Sequence, residues 1–257
     1  MNILYLAHRI PYPPDKGDKI RSFRQLEHLA QQHDVWCACF MDTPADEQYV
    51  EPLSAFCREV AAVRINRTRA KLRGIAGLIH GKTITESFYT DAAMGDLLRE
   101  WAASVSFDAV VAYSSGMAPY ALMVPAQRRV LDLCDVDSRK WLDYAARSRG
   151  PMRWVYKTEG HRLADVERTW IDAFNAAILI TKAEVEALDS RAPREKIHVV
   201  GNGVDLPDLA DPSRDYLSSE GSQAEGSSDD LGPRPAGNPI VGFVGALDYY
   251  PNIDGVV

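Results

Sequence analysis

Seven short apolar segments, separated by stretches with helical periodicity, most limit how this 257-residue chain can fold. Segments that are apolar throughout and only a few residues long are typical of strands buried on both faces of a parallel sheet. The predicted strands cover residues 2–7, 34–40, 59–65, 107–113, 128–133, 176–181 and 196–200. Because strands alternate with helices, the pattern predicts an α/β fold with a doubly wound, mostly parallel sheet.

The intervening segments predict helices with one apolar face. In the first of them, Ile20, Phe23 and Leu26 have the spacing of a buried stripe. The predicted helices cover residues 19–32, 46–56, 66–80, 90–104, 138–148, 152–174 and 182–189. In the long helix 152–174, Glu159 and Arg162 are spaced for an exposed ion pair, as are Asp165 and Arg168.

The composition changes abruptly after Asn202-Gly203, a turn that closes the seventh predicted strand. Residues 207–239 hold seven acidic and two basic residues, a net charge of −5, and few large apolar side chains. Such a segment cannot bury enough surface to offset its ordering entropy, which predicts a flexible acidic linker at 207–238. A new apolar segment then follows. We expect a Rossmann-like domain at 1–206, the linker, and the first strand of an incomplete second Rossmann-like domain at 239–257.

The remaining composition excludes several classes of protein. The net charge of the chain is −7, so the part outside the linker carries −2 and offers no strongly basic surface for nucleic acid. Four cysteines without a C-x-x-C pair predict neither a zinc site nor a redox motif, and Cys37 and Cys39 are expected to pack in the core. No apolar run approaches 18 residues, which favours a cytoplasmic protein without a membrane-spanning helix.

Ligands bind at the carboxyl ends of the strands in doubly wound sheets. In the loop after the first strand, the candidate binding residues are His8, Gly17, Asp18 and Lys19. Gly17 permits close backbone approach just before a helix N-terminus, where free N–H groups favour a phosphate. The alternatives are a solvated loop with Asp18 as a helix cap, and a structural His8. The loop lacks G-x-G-x-x-G, so a dinucleotide cofactor is not expected.

Two further strand ends carry polar side chains. After the fourth strand, Ser114 and Ser115 have hydroxyls suited to a sugar, although Ser-Gly is also ordinary turn chemistry. After the fifth strand, the run Asp-Leu-Cys-Asp-Val-Asp-Ser at 132–138 holds alternating carboxylates. Asp135 is the candidate catalytic carboxylate, whereas Asp137 is equally well explained as a helix cap.

The predicted helix 66–80 is basic and amphipathic. Its cations are Arg67, Arg69, Lys71 and Arg73. Leu72, Ile75 and Ile79 form a separate apolar side. One interpretation is a helix that lies on an anionic membrane surface, and the other is a core-facing helix with a solvated basic face.

In their order and spacing, several segments resemble family-4 glycosyltransferases of GT-B architecture. They are Pro-Pro-Asp-Lys-Gly-Asp-Lys at 13–19, the 132–138 run, Val-Val-Gly-Asn-Gly-Val-Asp at 199–205, and Val-Gly-Phe-Val-Gly-Ala-Leu-Asp-Tyr-Tyr-Pro-Asn-Ile-Asp at 241–254. The resemblance is strongest to sugar transferases of PEP-CTERM/exosortase exopolysaccharide clusters. It implies two Rossmann-like domains that face a cleft, with acceptor bound mainly by the first domain and nucleotide-sugar donor by the second. It also implies transfer with retention of anomeric configuration and without a metal ion or other cofactor.

The resemblance also assigns residues. Gly17 and Gly245 match loops that approach the donor phosphates, and Asn202, Gly203 and Asp205 form the turn beside the cleft. Many members have a His-Asp or His-Asn pair where this chain has Cys134-Asp135, so only Asp135 is carried over.

The expected function is transfer of a sugar from a nucleotide-sugar to an exopolysaccharide or lipid-linked glycan acceptor, in the cytoplasm or at the inner face of the membrane. The piece 1–257 is expected to be inactive alone, because most donor contacts would come from the rest of the second domain. The alternatives are a non-catalytic glycan- or lipid-binding domain and a GT-B sugar-nucleotide epimerase.

Overall fold

The computed structural model describes residues 1–203, which form a seven-stranded sheet flanked by helices. Its strands are β1 (Asn2–Ala7), β2 (Asp34–Met41), β3 (Glu59–Arg64), β4 (Phe107–Tyr113), β5 (Ala126–Cys134), β6 (Ala176–Leu179) and β7 (Ile197–Val199). Each matches a predicted strand, so the α/β fold class is confirmed for this part of the chain. The predicted linker, the start of the second domain, Asp205 and Gly245 lie outside the described residues.

All strands are parallel, in the order β3-β2-β1-β4-β5-β6-β7. The order reverses direction between β1 and β4, where Ala7 pairs with Tyr113 at the carboxyl ends. A crevice opens at such a switch point, because the connections on its two sides leave toward opposite faces of the sheet. The topology thus places any ligand site next to His8 and Ser114.

The helices are α1 (Gly17–Ala30), α2 (Val50–Ser54), α3 (Arg67–Ile79), α4 (Ile84–Tyr89), α5 (Ala92–Ser104), α6 (Ala118–Met123), α7 (Asp137–Arg147), α8 (Gly150–Ala173) and α9 (Lys182–Ala187). The predicted helix 46–56 is divided into a 3₁₀ turn, Pro44–Tyr49, and α2. Pro52 explains the division, since it lacks the amide proton that a continuous helix would need. Sequence analysis missed α4 and α6, each of which has six residues, too few to show a helical period.

Alternate residues of the central strands fill the two faces of the sheet. Leu4 and Leu6 belong to one core cluster, and Ile3 and Tyr5 belong to the other. Cys37 and Cys39 are fully buried in the second cluster, as predicted. The prediction that Ile20 belongs to the buried apolar stripe of α1 is wrong, because Ile20 is 44% exposed.

Helices α7 and α8 form an antiparallel hairpin joined by a buried carboxyl group. Glu167 of α8 accepts hydrogen bonds from the Ser138 amide (3.0 Å) and the Ser138 hydroxyl (2.5 Å), at the start of α7. Further along, a Cβ on Gly160 would lie 2.7 Å from Leu142 Cγ, so the close approach of the helices requires glycine there. The hairpin is therefore fixed at its base and along its length.

The predicted exposed ion pair between Glu159 and Arg162 is wrong, because each side chain bonds to another helix end instead. Glu159 is fully buried and accepts hydrogen bonds from the amides of Ile84 (2.6 Å) and Thr85 (3.0 Å), which begin α4. Arg162 donates to the carbonyl oxygens of Leu78 and Lys82 at the end of α3. The pair Asp165–Arg168 is present at 3.8 Å. One turn of α8 thus holds the ends of two other helices.

Glu167 generates a prediction about pH. Burial raises its pKa from 4.5 to about 8, so the folded protein keeps a proton that the unfolded chain releases above its lower pKa. The stability from this group is therefore present at acid pH and lost as pH rises toward 8, by at most roughly 1.4 kcal/mol per pH unit. We expect Glu167→Gln to remove this slope in urea unfolding measured across that range. Parallel pH profiles for the variant and the parent would contradict the assignment.

Candidate functional site

The crevice between β1 and β4 is lined by aromatic rings. The His8 ring stacks on Tyr113 at a centroid distance of 5.8 Å and meets the edge of Tyr89 at 6.0 Å. The Tyr113 hydroxyl donates to the Asp18 carbonyl oxygen at 2.8 Å. The first turn of α1 is thereby anchored to the end of β4, and His8 and Asp18 come together as expected of one site.

His8 is largely buried, with 16% of its side chain exposed. Burial, followed by the charge of Arg9, lowers the pKa of His8 below its usual 6.5, so the imidazole is neutral near pH 7. Its Nε2 lies 3.8 Å from Asp18 Oδ2, and its buried Nδ1 has no hydrogen-bond partner within residues 1–203. A neutral imidazole can accept a proton or a hydrogen bond from a ligand hydroxyl.

Charged side chains brace the loop that leads into α1. Arg9 donates to Asp18 Oδ2 and Asp42 Oδ2, both at 2.8 Å, and so holds the loop between two strand ends. Asp18 is not the N-cap of α1, since Lys16 occupies that position. The interpretation of Asp18 as a cap is therefore wrong.

Gly17 and Lys19 differ in how they are placed at the start of α1. Gly17 is exposed, and a Cβ there would meet no atom within 4 Å, so the space beside its Cα is open. Lys19 is buried, with Nζ 3.8 Å from Asp15 Oδ1 and 5.7 Å from the centroid of the Tyr49 ring. Gly17 has the accessibility that a phosphate contact needs, whereas the charge of Lys19 is directed to partners within the protein.

The ends of β4 and β5 have unusual backbone conformations. Within residues 1–203, the two non-glycine residues with positive φ are Ser114 (79°) and Cys134 (62°). Such conformations cost energy and are concentrated at functional sites. Ser115 is buried and its hydroxyl donates to Asp137 Oδ2 at 2.6 Å, so Asp137 is bonded to the neighbouring strand end. The two predicted polar loops are thus joined at the edge of the sheet.

Asp135 lies just beyond the end of β5 with a partly exposed side chain. Lys140 Nζ is 2.7 Å from Asp135 Oδ2 and 3.4 Å from Asp137 Oδ1. These carboxylates and burial act in opposite directions on Lys140, and the carboxylates prevail and raise its pKa. Lys140 therefore stays positively charged and pairs with Asp135 beside the crevice.

Beneath these loops lies a buried ion pair that sequence analysis missed. Asp132 Oδ2 accepts hydrogen bonds from Arg21 Nε (3.0 Å) and Gln25 Nε2 (2.5 Å), and Asp132 is fully buried. Asp132 Oδ1 accepts from the amide of Cys134 at 3.0 Å, which supports the strained residue. Arg21 also donates to Asn202 Oδ1 at 2.9 Å, and so binds the predicted turn at the end of β7. One pair thus joins β5, α1 and the turn.

The sequence alone indicated only one member of this ion pair, Asp132. Asp132 lies inside an otherwise apolar strand, and a charge buried there requires a partner. Nothing local identifies Arg21, which is 111 positions away in the chain. Gly203 follows Asn202 and is exposed.

Helix α3 turns its large apolar side chains outward. Leu72, Ile75 and Ile79 are 63%, 57% and 74% exposed. The inner face consists of small residues and one leucine, namely Ala70, Gly74, Gly77 and Leu78. The core-facing interpretation of this apolar side is therefore wrong. We call the three exposed side chains the α3 stripe.

The cations of α3 are not equivalent. Arg73 donates to the carbonyl oxygens of Ser87 (3.4 Å) and Phe88 (3.1 Å), so its charge is used within the protein. Arg67 lies 3.5 Å from Asp42 and is about half exposed. Arg69 and Lys71 are exposed.

The described residues contain neither a membrane-spanning helix nor a metal-binding cluster. No helix within residues 1–203 has the length and apolar character to cross a membrane. The same residues contain no group of three or more His, Cys, Asp or Glu side chains arranged to hold a metal ion.

Comparison with known proteins gives a distant structural similarity. No protein-family model matches the chain, and no curated protein matches it. A crystal structure of TcCGT1 in complex with UDP is similar in fold, at 13% sequence identity and a TM-score of 0.39, over 81% of this chain and 53% of that one. The chain thus spans about half the length of that protein. The doubly wound sheet itself, rather than this distant similarity, defines the fold class.

The Arg21–Asp132 pair generates a stability prediction. Removing one member leaves an uncompensated buried charge, which costs about 3–5 kcal/mol. We expect Arg21→Met and Asp132→Asn each to lower the free energy of unfolding by that order. The double variant should lose less than the sum of the two, because it leaves no unpaired charge. Additive losses in urea unfolding would show that the two groups do not stabilise each other.

Proposed function

We propose that residues 1–203 are the acceptor-side domain of a GT-B glycosyltransferase of the family-4 type. The observation that carries the proposal is the group of residues gathered at the β1–β4 switch point. There a neutral His8, the exposed Gly17 and two strained strand ends meet at one edge of the sheet. The complete protein would transfer a sugar from a nucleotide-sugar donor to an exopolysaccharide or lipid-linked glycan acceptor.

Each part of this edge has a role in the proposal. The N-terminus of α1, a helix of 14 residues, supplies N–H groups and a dipole for the donor diphosphate near Gly17 and Asp18. His8 accepts a hydrogen bond from a sugar hydroxyl, as do the polar groups of the Ser114–Ser115 loop. Lys19 is assigned to holding the loop, because its ammonium group faces Asp15 and Tyr49.

The turn after β7 completes the binding residues. Arg21 donates to Asn202, and we assign Asn202 and Gly203 to the binding site beside the crevice. Asp205 and Gly245 are assigned to the same site from the sequence motifs alone. The diphosphate is a substrate group in this proposal, and no metal ion or cofactor takes part.

Asp135 is the proposed catalytic residue. Transfer with retention builds positive charge on the donor sugar in the transition state, and a carboxylate fixed nearby stabilises that charge. Lys140 positions Asp135 through an ion pair of 2.7 Å. The second carboxylate on Lys140, Asp137, is tied to Ser115 and is assigned a supporting role.

The α3 stripe supports a membrane-side location for this reaction. Exposed Leu72, Ile75 and Ile79 lie beside Arg67, Arg69 and Lys71, the arrangement of an interfacial helix. A lipid-linked acceptor would be reached from such a surface. The same stripe favours a second candidate, a non-catalytic domain that binds a lipid-linked glycan.

Product analysis distinguishes the two candidates. The complete protein would be incubated with a panel of nucleotide sugars and a lipid-linked acceptor extract, and products would be identified by mass spectrometry. Sugar transfer supports the transferase. Acceptor binding without transfer or release of nucleotide from any donor would establish the binding domain instead.

Asp135→Asn tests the catalytic assignment. If the carboxylate acts in the transition state, the variant should lose about 100-fold in kcat with little change in KM for the donor. Asp143→Asn is the matched control, because Asp143 is an exposed carboxylate of α7 paired with Arg139. Equal kcat for the two variants would remove Asp135 from the mechanism.

The α3 stripe is tested by binding to vesicles. Changing Arg67, Arg69 and Lys71 to Ser should abolish salt-sensitive cosedimentation with anionic vesicles, since each cation near the surface contributes roughly 1 kcal/mol. Changing Leu72, Ile75 and Ile79 to Ser should weaken binding at all salt concentrations. The control changes Leu122 and Met123 of α6, which are exposed apolar residues. The same sedimentation with neutral and anionic vesicles would exclude the proposal.

A further inference from the structure

The α7–α8 hairpin extends well beyond the edge of the sheet. Its base is level with the end of β5, where Ser138 bonds to Glu167, and α8 reaches the core only from Leu163 onward. From Glu167 back to Gly150 the helix spans about 25 Å, at 1.5 Å per residue. The two helices therefore present a convex tip, residues 144–158, on the carboxyl side of the sheet.

The tip has an unusual composition. It carries four cations, Arg147, Arg149, Arg153 and Lys157, and no acidic residue. Large apolar side chains are exposed among them, with Trp154 at 60%, Met152 at 48% and Tyr144 at 40%. The tip therefore combines exposed apolar side chains with positive charge.

Trp154 and two cations share the outer face of α8. Arg153, Trp154, Lys157 and His161 have the spacing of residues on one side of a helix, and all are exposed. Glu159, Gly160 and Leu163, on the inner face, are buried. Within the hairpin, the rings of Trp141, Tyr144 and Tyr156 pack against one another, with centroids 5.5–6.2 Å apart.

We propose that the tip docks on an anionic lipid surface through Trp154, Met152 and the surrounding cations. Indole rings favour the headgroup region of bilayers, and Arg and Lys side chains extend from it to lipid phosphates. A convex tip offers no groove for a peptide, whereas a lipid surface requires only matching charge and exposed apolar groups. The inference rests on the proposed membrane-side function and adds a contact separate from the α3 stripe.

The hairpin is rigidly joined to α3 and α4. Arg162 donates to the last carbonyl oxygens of α3, and Glu159 accepts from the first amides of α4. Two contacts held by one scaffold bind more tightly together than either alone, since the second forms at a high effective concentration. The two contacts would also fix how the sheet edge is oriented over the lipid.

Cosedimentation of the 1–257 chain tests the tip, with vesicles of pure phosphatidylcholine or of phosphatidylcholine with phosphatidylglycerol. The tip variant changes Arg149, Arg153 and Lys157 to Ser. Its matched control changes Arg58, Arg128 and Lys196 to Ser, an equal change of charge at the starts of β3, β5 and β7, at the opposite edge of the sheet. Circular dichroism and thermal melts establish that both variants fold.

Binding of the tip variant to anionic vesicles should fall at least roughly tenfold, and the control should bind like the parent. Brominated lipid should quench the tryptophan fluorescence of the parent more than that of Trp154→Phe. Equal vesicle binding by the tip variant and its control would overturn the proposal for the tip. The α3 variant tests the α3 stripe separately, so a loss of binding in that variant would not rescue the tip. If the tip variant keeps vesicle binding but loses binding to polyglutamate, an acidic protein replaces the lipid as the partner.

Discussion

The buried ion pair between Arg21 and Asp132 is the interaction on which the candidate site depends. A carboxylate inside a central strand is unfavourable unless it is fully bonded, and Asp132 receives Arg21, Gln25 and the Cys134 amide. These hydrogen bonds fix α1 against β5, and a further bond from Arg21 holds the side chain of Asn202. The pair sets the geometry of the crevice because its bonds reach three of the segments that surround it.

A second group of buried acids acts on helix ends. Glu159 and Glu167 both belong to α8, and each accepts hydrogen bonds from amides at the start of another helix. Free amides at a helix start are costly to bury, and one carboxyl group can accept hydrogen bonds from two donors at once. At α7 the long-range cap stands in for a local side-chain cap, whereas α4 also has a local capping box formed by Thr83 and Glu86. The long-range caps explain how α4 and α7 are held in fixed positions against α8.

The sequence was most informative where the physical signal is local. All seven strands could be predicted because buried parallel strands are continuous apolar runs. Helix α4 was missed because six residues do not define a period, and the 46–56 prediction failed at Pro52. Candidate residues at strand ends followed from topology, which is why His8, Asp18 and Ser115 lie at one edge. The partners Arg21 and Tyr89 required the folded chain, since their contacts span distant parts of the sequence.

The small inner face of α3 has a consequence for how the protein tolerates change. Gly74 and Gly77 pack closely on α4, so this helix is anchored by its smallest side chains while its largest point to solvent. Folding therefore derives little from Leu72, Ile75 or Ile79, and their loss leaves the core intact. A mutational screen that scores melting temperature or soluble yield would rate changes along this stripe as neutral or beneficial. Optimising the chain for crystallisation or expression would therefore remove first the surface that the proposed function uses.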